Sequence, residues 1–372
     1  MSGTLGIIIF VVAILLVILI HEAAHFSVAK AFKIKVEEFF IGFGPRLFSR
    51  QRGETEYGVK AFPLGGYVKI AGMNPYEEIS PEDYPRTYGA HPPWQRALVI
   101  VAGPATHFVI AFLLFAAFFA FVGTPTQTPT IAVVDKVINQ EPSPAAAAGL
   151  QKGDVIVRIN DIDNPTTDEV RDAIHGAEDE AVVLVVVRDG VRRTVTLQPV
   201  FDKDPQIQTL RIGVVFDDHL VKSGPVGAFT DAGAQLWHSS AATIGSLGRV
   251  FGPEGIGRVF DLLFGGAERT IEDPTGTVGV ARAAGDIASI AGFGALLFLL
   301  AGVNVFVGIL NLLPIPPFDG GHLAVVAWEK IRGRKVDARK LIPVTMVVVI
   351  FLMVWFVSIT YLDIFKPIPI GR

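Results

Sequence analysis

Leu5-Gly6-Ile7-Ile8-Ile9-Phe10-Val11-Val12-Ala13-Ile14-Leu15-Leu16-Val17-Ile18-Leu19-Ile20 carries no charge and runs directly into His21-Glu22-Ala23-Ala24-His25-Phe26. About 20 apolar helical residues cross a hydrocarbon core about 30 Å thick, so the stretch reads as a membrane span. Positions four apart on a helix lie about 40° from each other, and both imidazoles therefore leave one face with Glu22 beside them. Ionisable residues at the centre of a span cost about 2.5 to 3.5 kcal/mol on insertion scales and mark functional sites. A secretory signal is the competing reading, because Ala29-Lys30-Ala31 resembles a cleavage site. The apolar run lacks a preceding Lys or Arg, so we expect residues 1–32 to stay as the first span.

Working outward, three further stretches are long and apolar enough to span: about 97–122, Phe293 to Leu313, and Leu341 to Leu362. The composition agrees, since 51% hydrophobic and only 18% charged residues over 372 are too apolar for a soluble enzyme. We expect a polytopic α-helical membrane protein with four transmembrane helices. A formal net charge of -4 argues against a nucleic-acid partner, whose binding face would be basic. With no cysteine, thiolate zinc sites and disulfides are excluded, and any metal must rest on His, Asp or Glu.

Short loops keep Lys and Arg on the cytoplasmic side. The first loop holds Lys30, Lys33, Lys35, Arg46, Arg50, Arg52, Lys60, Lys69, Arg86 and Arg96, and the third holds Lys330, Arg332, Arg334, Lys335, Arg339 and Lys340. Both are expected in the cytoplasm, with the termini and the segment between the second and third spans outside.

His21-Glu22-Ala23-Ala24-His25 has the spacing of a zinc grip with a base. Zinc on neutral imidazoles acidifies a bound water, and a neighbouring carboxylate can take its proton during attack on an amide carbonyl. A hydrolytic site of this kind has three protein ligands. Of the other histidines, His175, His219 and His238 fall in the outer segment, leaving His91, His107 and His322 alongside the carboxylates. Depth selects Asp319. Counted from Leu5 and Leu296 near their outer ends, the first and third helices reach His21 and Pro314 after about 24 and 27 Å at 1.5 Å per residue. Around it, Asn311-Leu312-Leu313-Pro314-Ile315-Pro316-Pro317-Phe318-Asp319-Gly320-Gly321-His322 must break the helix at its prolines, with glycines that permit positive φ. Broken backbone at this depth survives only inside protein or beside a wet cavity. His322 is the rival ligand, and an N-cap role for Asp319 is the structural alternative.

The pentapeptide in the first span, together with Asn311-x-x-Pro314-x-x-Pro317-x-Asp319-Gly320 in the third, resembles the site-2 protease family of intramembrane zinc metalloproteases. The resemblance covers nearly the whole chain and is closest to the bacterial branch with four spans and one PDZ domain. That branch clips membrane-anchored anti-sigma factors after a first protease has trimmed them. The resemblance implies Zn2+ held by His21, His25 and Asp319, with Glu22 as the general base. It carries over Asn311 as a substrate-orienting group, with Pro314, Pro317 and Gly320 as the rest of the motif. Two departures stand out: Phe318 where the family often has Leu, and His107 in Ala102-Gly103-Pro104-Ala105-Thr106-His107 where it usually has Asn. His107 either polarises the site or hydrogen-bonds across helices.

In the outer segment, Ser143-Pro144 through Asn160 resembles a PDZ core, with strands near Ala181 to Arg188 and Thr194 to Val200 and a helix near Thr167 to Gly176. No clear carboxylate-binding loop is evident, so an α+β PDZ domain here acts either by strand addition or as a size filter. Residues 54–70 read as short strands around a turn; in the family such an element lies against the membrane near the active site.

The expected plan is thus 1–32 first span, 33–96 cytoplasmic loop with the β-element, 97–122 second span, 123–200 PDZ domain, 201–290 an amphipathic connecting segment, 291–322 third span, 323–340 basic loop, 341–362 fourth span and 363–372 an outer tail. The expected activity is zinc endoproteolysis of a single-pass membrane protein, an anti-sigma factor already cut at site 1, in the bacterial inner membrane. The rival from another class is a non-catalytic PDZ scaffold with a structural zinc. A metal transporter fits poorly, since one fixed site offers no repeat for alternating access.

Overall fold

The computed structural model describes the chain apart from residues 75, 126–127, 178–179, 204–208, 218–219, 271–272 and 369–372, together with the side chains of 63, 64, 125 and 338. His219 and the end of the tail therefore lie outside the described residues. The described chain divides into two units, Met1–Ala120 with Gly224–Arg372, and Phe121–Ser223.

In the first unit, α1 (Gly3–Ala31) starts on Ser2, whose hydroxyl accepts the Leu5 N–H at 3.4 Å. Phe10, Val17, His21, His25 and Ala29 are buried along one face, while Leu5, Ile8, Val12 and Leu16 are exposed. A helix apolar on both sides is built for lipid.

Strands β1 (Val36–Arg52) and β2 (Thr55–Ile70) follow, each bent so that two strands make a wider antiparallel surface. Residues 36–41 run between 66–70 on one side and 56–59 on the other, and 46–52 pair with 55–60 beyond. Gly42 and Gly44, at φ 84° and 86°, supply the left-handed residues of the bend in β1. Residues 66–70 thus form an edge.

α2 (Pro93–Ala117) continues as a π turn to Val122 and buries Arg96, Val99, Ile100, Gly103, His107, Ala111 and Phe115. Gly3–Ala31, Pro225–Phe251, Gly292–Asn311 and Asp319–Arg332 pack against it.

The second unit contains α3 (Pro144–Ala147) and α4 (Thr167–His175), the latter opened by a reciprocal cap between Thr166 and Glu169. Its antiparallel sheet orders Val191–Leu197, Val182–Arg188, Val155–Ile159 and Ile162–Asp163, while Val214–Phe216 pairs with Ile131–Val134. Ile131, Leu150, Ile156, Ile159, Val170, Ile174, Leu184 and Val186 fill its core. Strands 210–211 and 214–216, in a stretch the sequence assigns to the connecting segment, belong to this unit. With Arg171, Ile174 and His175 of α4 they line a groove of about 310 Å³. Asp154 is fully buried and accepts two bonds from Arg188, at 2.6 and 2.7 Å.

Back in the first unit, α5 (Pro225–Phe251) sets Ala228 and Ala232 against Ala111, Phe115 and Phe119 of α2. After α6 (Pro253–Phe264) and α7 (Thr277–Ile290) come α8 (Gly292–Asn311), α9 (Asp319–Arg332) and α10 (Ile342–Phe365). Four helices are long and apolar enough to cross a membrane: Gly3–Ala31, Pro93–Val122, Gly292–Asn311 and Arg339–Phe365. The chain is a multi-pass membrane protein by this measure. Near the end of α10, buried Asp363 accepts from Arg269 at 2.8 Å and from the Gly276 and Gly279 N–H groups at 3.0 and 2.7 Å, pinning the start of α7.

Arg96 of α2 meets Glu329 of α9 at 2.7 Å, with both side chains 8% exposed. Glu329 also accepts the Val336 N–H at 2.8 Å, and Arg96 lies over the Tyr88 ring at 5.8 Å. Removing one member of a buried pair strands the other charge, at a cost of about 3 to 5 kcal/mol. Glu329→Ala should therefore lower the detergent-solubilised unfolding temperature markedly, and the Arg96→Met, Glu329→Leu double variant should recover most of it. In the second unit, burial alone would raise the Asp154 carboxyl, but the Arg188 guanidinium and the Gln151 N–H outweigh it and hold the group below the usual range. Its stabilisation is complete above the unfolded-state value of about 3.9 and is lost as pH falls from there through the folded-state value. Hydrogen exchange in Val155–Ile159 and Val182–Arg188 should accelerate over that acid window in the native chain and show no such acid step in Asp154→Asn.

Candidate metal centre

His21 and His25 sit one helical turn apart on the buried face of α1, and their Nε2 atoms lie 3.1 Å apart. Asp319 Oδ2 lies 3.2 Å from the first and 3.4 Å from the second. Ligands about 2.0 to 2.2 Å from a tetrahedral zinc are themselves about 3.3 Å apart. Two imidazole nitrogens and one carboxylate oxygen at these separations therefore fit that ion. Among the described residues, these three side chains form a group able to hold a metal, with ligand atoms all within 4.8 Å of one another. His322 is not in that group, and neither is His91, whose Nδ1 and Nε2 lie 2.8 and 3.2 Å from the Thr87 and Phe32 carbonyl oxygens.

Each imidazole is aimed by its other nitrogen. His25 Nδ1 donates to the Val99 carbonyl of α2 at 2.7 Å, which leaves Nε2 with its lone pair. His21 Nδ1 lies 3.1 Å from Nε2 of buried His107, so the sequence's expectation of a bond across helices meets an actual partner in α1.

Gly103 lies beneath both rings. A Cβ built there would fall 2.2 Å from His25 Nε2 and 2.7 Å from His21 Cε1, so only glycine lets α2 approach. The sequence offered no signal for this beyond the glycine itself.

Asp319 arrives on a broken helix. α8 ends at Asn311, and the chain turns through Pro314, a cis Pro316-Pro317 bond and Phe318 before α9 begins. Short-range bonds keep that backbone paired: Leu313 N–H to Leu310, Ile315 N–H to Leu313 and Phe318 N–H to Ile315, at 3.1, 2.7 and 3.1 Å. Phe318, not Asp319, holds the N-cap position, and Asp319 is the first helical residue, where negative charge is favoured. Gly320 and Gly321, free to take positive φ, are helical, and their service is closeness, since a Cβ on Gly320 would lie 2.2 Å from the Leu312 carbonyl oxygen. Asn311 closes α8, with Pro314 and Pro317 in the turn after it.

Glu22 is adjacent on α1, and the Val68 N–H of β2 faces its carboxylate. A Cβ on Gly66 would come 3.3 Å from Glu22 Cγ, so the edge strand of the β-element runs against the carboxylate. This contact was not legible in the sequence.

Residues 9–355 match the profile of peptidase family M50. The chain belongs to that family. It is 34% identical over 402 residues to zinc metalloprotease Rip1 of Mycobacterium tuberculosis, and 32% identical over 430 residues to zinc metalloprotease Rip1 of Mycolicibacterium smegmatis. Each comparison covers 98% of this chain and 98% of the relative. This M50 member is therefore a zinc metalloprotease, and Zn2+ is its cofactor.

A misplacement of about 1 Å at a catalytic group costs roughly a hundredfold in rate. Gly103→Ala, which drives a methyl group between α2 and both imidazoles, should lose proteolysis by at least that factor and bind less zinc by elemental analysis of the purified protein.

Proposed function

We propose that His21, His25 and Asp319 hold the zinc of an intramembrane endopeptidase, and that Glu22 is its general base. The observation that carries this reading is the meeting of two Nε2 atoms and one Oδ2 atom, drawn from α1 and α9, beside a carboxylate. Zinc bound there supplies Lewis acidity, acidifying water and polarising the scissile carbonyl.

The protein's own groups do the remaining work. Glu22 accepts the proton of the attacking water and returns it to the leaving nitrogen. Val68 N–H orients that carboxylate. Residues 66–70 pair with 36–41 on one side, and an unwound substrate segment added to the other side lies beside Glu22. A substrate helix must become extended before its peptide bond is reachable, so a strand edge at the base supports cleavage of a transmembrane segment. Asn311, next to the turn, orients the substrate, with Pro314, Pro317 and Gly320 shaping that turn.

The substrate class we infer is a single-pass membrane protein, an anti-sigma factor already trimmed outside, whose cytoplasmic fragment is released. Basic loops support a topology with both termini and the unit Phe121–Ser223 outside the bacterial inner membrane and the zinc site toward the cytoplasm. Exposed Phe43, Leu47, Phe48 and Phe62, with Arg46 and Lys60 among them, support membrane association of the β-element. The groove between α4 and 209–216 supports reading the outer unit as a PDZ domain, since such domains hold extended peptides beside a helix.

Glu22→Gln should retain stoichiometric zinc and lose cleavage of a transmembrane substrate by roughly 10²- to 10⁴-fold. His21→Ala, His25→Ala and Asp319→Ala should lose both. Unchanged turnover in Glu22→Gln would remove the mechanism, and zinc retention without any chelator-sensitive cleavage would favour the scaffold.

A further inference from the structure

We propose that Asn304 and His107 form a relay that fixes the tautomer of His21, so that its Nε2 always presents a lone pair to the metal. The proposal rests on His21 being a zinc ligand and extends that reading to two residues on other helices.

Three transmembrane helices supply the relay. Asn304 of α8 is 1% exposed, and its Nδ2 donates to the Leu300 carbonyl of the same helix at 2.8 Å. That bond fixes which way the amide points and leaves Oδ1 facing His107 Nδ1 at 3.2 Å. A carboxamide oxygen can only accept, so the proton belongs on His107 Nδ1. His107 Nε2 then carries a lone pair, and His21 Nδ1, 3.1 Å away, must be the donor. With its proton on Nδ1, His21 has Nε2 free, pointed at His25 Nε2 and Asp319 Oδ2.

The opposite assignment fails at both ends. A proton on His107 Nε2 would set two lone pairs against each other at Asn304 Oδ1, in a site where His107 is 2% exposed. It would also make His21 Nδ1 the acceptor, so that the His21 proton moved to Nε2, the atom that must bind the cation. A doubly protonated His107 has the second fault. His25 needs no such relay, because a backbone carbonyl, which cannot donate, already receives its Nδ1 proton at 2.7 Å. His21 has a titratable partner instead, and Asn304 removes the ambiguity this creates. His107 and Asn304 are thus positioning residues, since neither is in the ligand group.

The test measures zinc affinity of the full chain in detergent by competition with a chromophoric chelator, alongside the visible spectrum of the Co2+-loaded protein. His107→Leu removes the acceptor and should weaken zinc binding by about 10- to 100-fold, as loss of a ligand's orienting partner does. His107→Gln, whose amide oxygen reaches the acceptor position, should stay within about threefold of the parent and keep its Co2+ spectrum. Asn304→Leu should lose about tenfold although it is not a ligand. Parental affinity in His107→Leu overturns the proposal. So does equal loss in His107→Leu and His107→Gln accompanied by an equal fall in the unfolding temperature of the chelated protein, which is the signature of packing alone. If the parent chain itself takes up no zinc, the reading of His21, His25 and Asp319 as ligands has failed, a result distinct from either outcome.

Discussion

The structure depends on the convergence of three lone pairs, from His21, His25 and Asp319, at one point in a segment that crosses lipid. Polar groups at that depth are tolerated only when each is committed to a partner. The Nδ1 of His25 is spent on the Val99 carbonyl, and the Nδ1 of His21 on His107. The carboxylate enters on the first residue of α9, where the helix dipole favours it. With the tautomers proposed above, what remains directed inward is a set of acceptors, an arrangement suited to sharing a cation.

α2 makes this possible without contributing a ligand. Its Val99 carbonyl, Gly103 and His107 follow one another at helical spacing and face α1, while Arg96, one turn earlier, holds α9 through Glu329. Residues 21 and 319 come from opposite ends of the sequence, and α2 is the plate against which both are registered. This explains why its buried stripe contains glycine, histidine and arginine amid valine, isoleucine and phenylalanine. The apolar positions bury the helix, and the others set the distances.

Much of this was legible beforehand, because the periodicities involved are local. Two histidines four apart must share a helix face, and counting residues from the outer ends of two spans places Asp319 near their depth. The glycines were harder. Gly320 and Gly321 could have supplied positive φ after a proline break, but the turn is completed before them, and they serve as contact surfaces against Leu312 and Pro316. Gly103 and Gly66 are the same case: a missing side chain leaves no periodic signal, and its use depends on a neighbour distant in sequence. Asn304 sits in an apolar run where a lone carboxamide suggests only helix association. Its pairing with His107 requires the register of α2 against α8, which no local pattern encodes.

The β-element shows how one strand meets two demands. Its edge at residues 66–70 has to stand close enough to α1 for Val68 N–H to reach Glu22, yet leave its own outer face free for another strand. Gly66 satisfies the first, because its bare Cα permits an approach that a methyl group would crowd at 3.0 Å from the Phe40 carbonyl oxygen and 3.3 Å from Glu22 Cγ. The second follows from the fold of β1, whose residues 38–41 are paired on both sides while 66–70 of β2 pair on one side only. On the proposed mechanism, a base oriented by a strand amide and a substrate held along the same strand would share one register. Displacement of that strand would then change the orientation of the base and the position of the bound peptide together, tying substrate seating to proton transfer through a single piece of backbone.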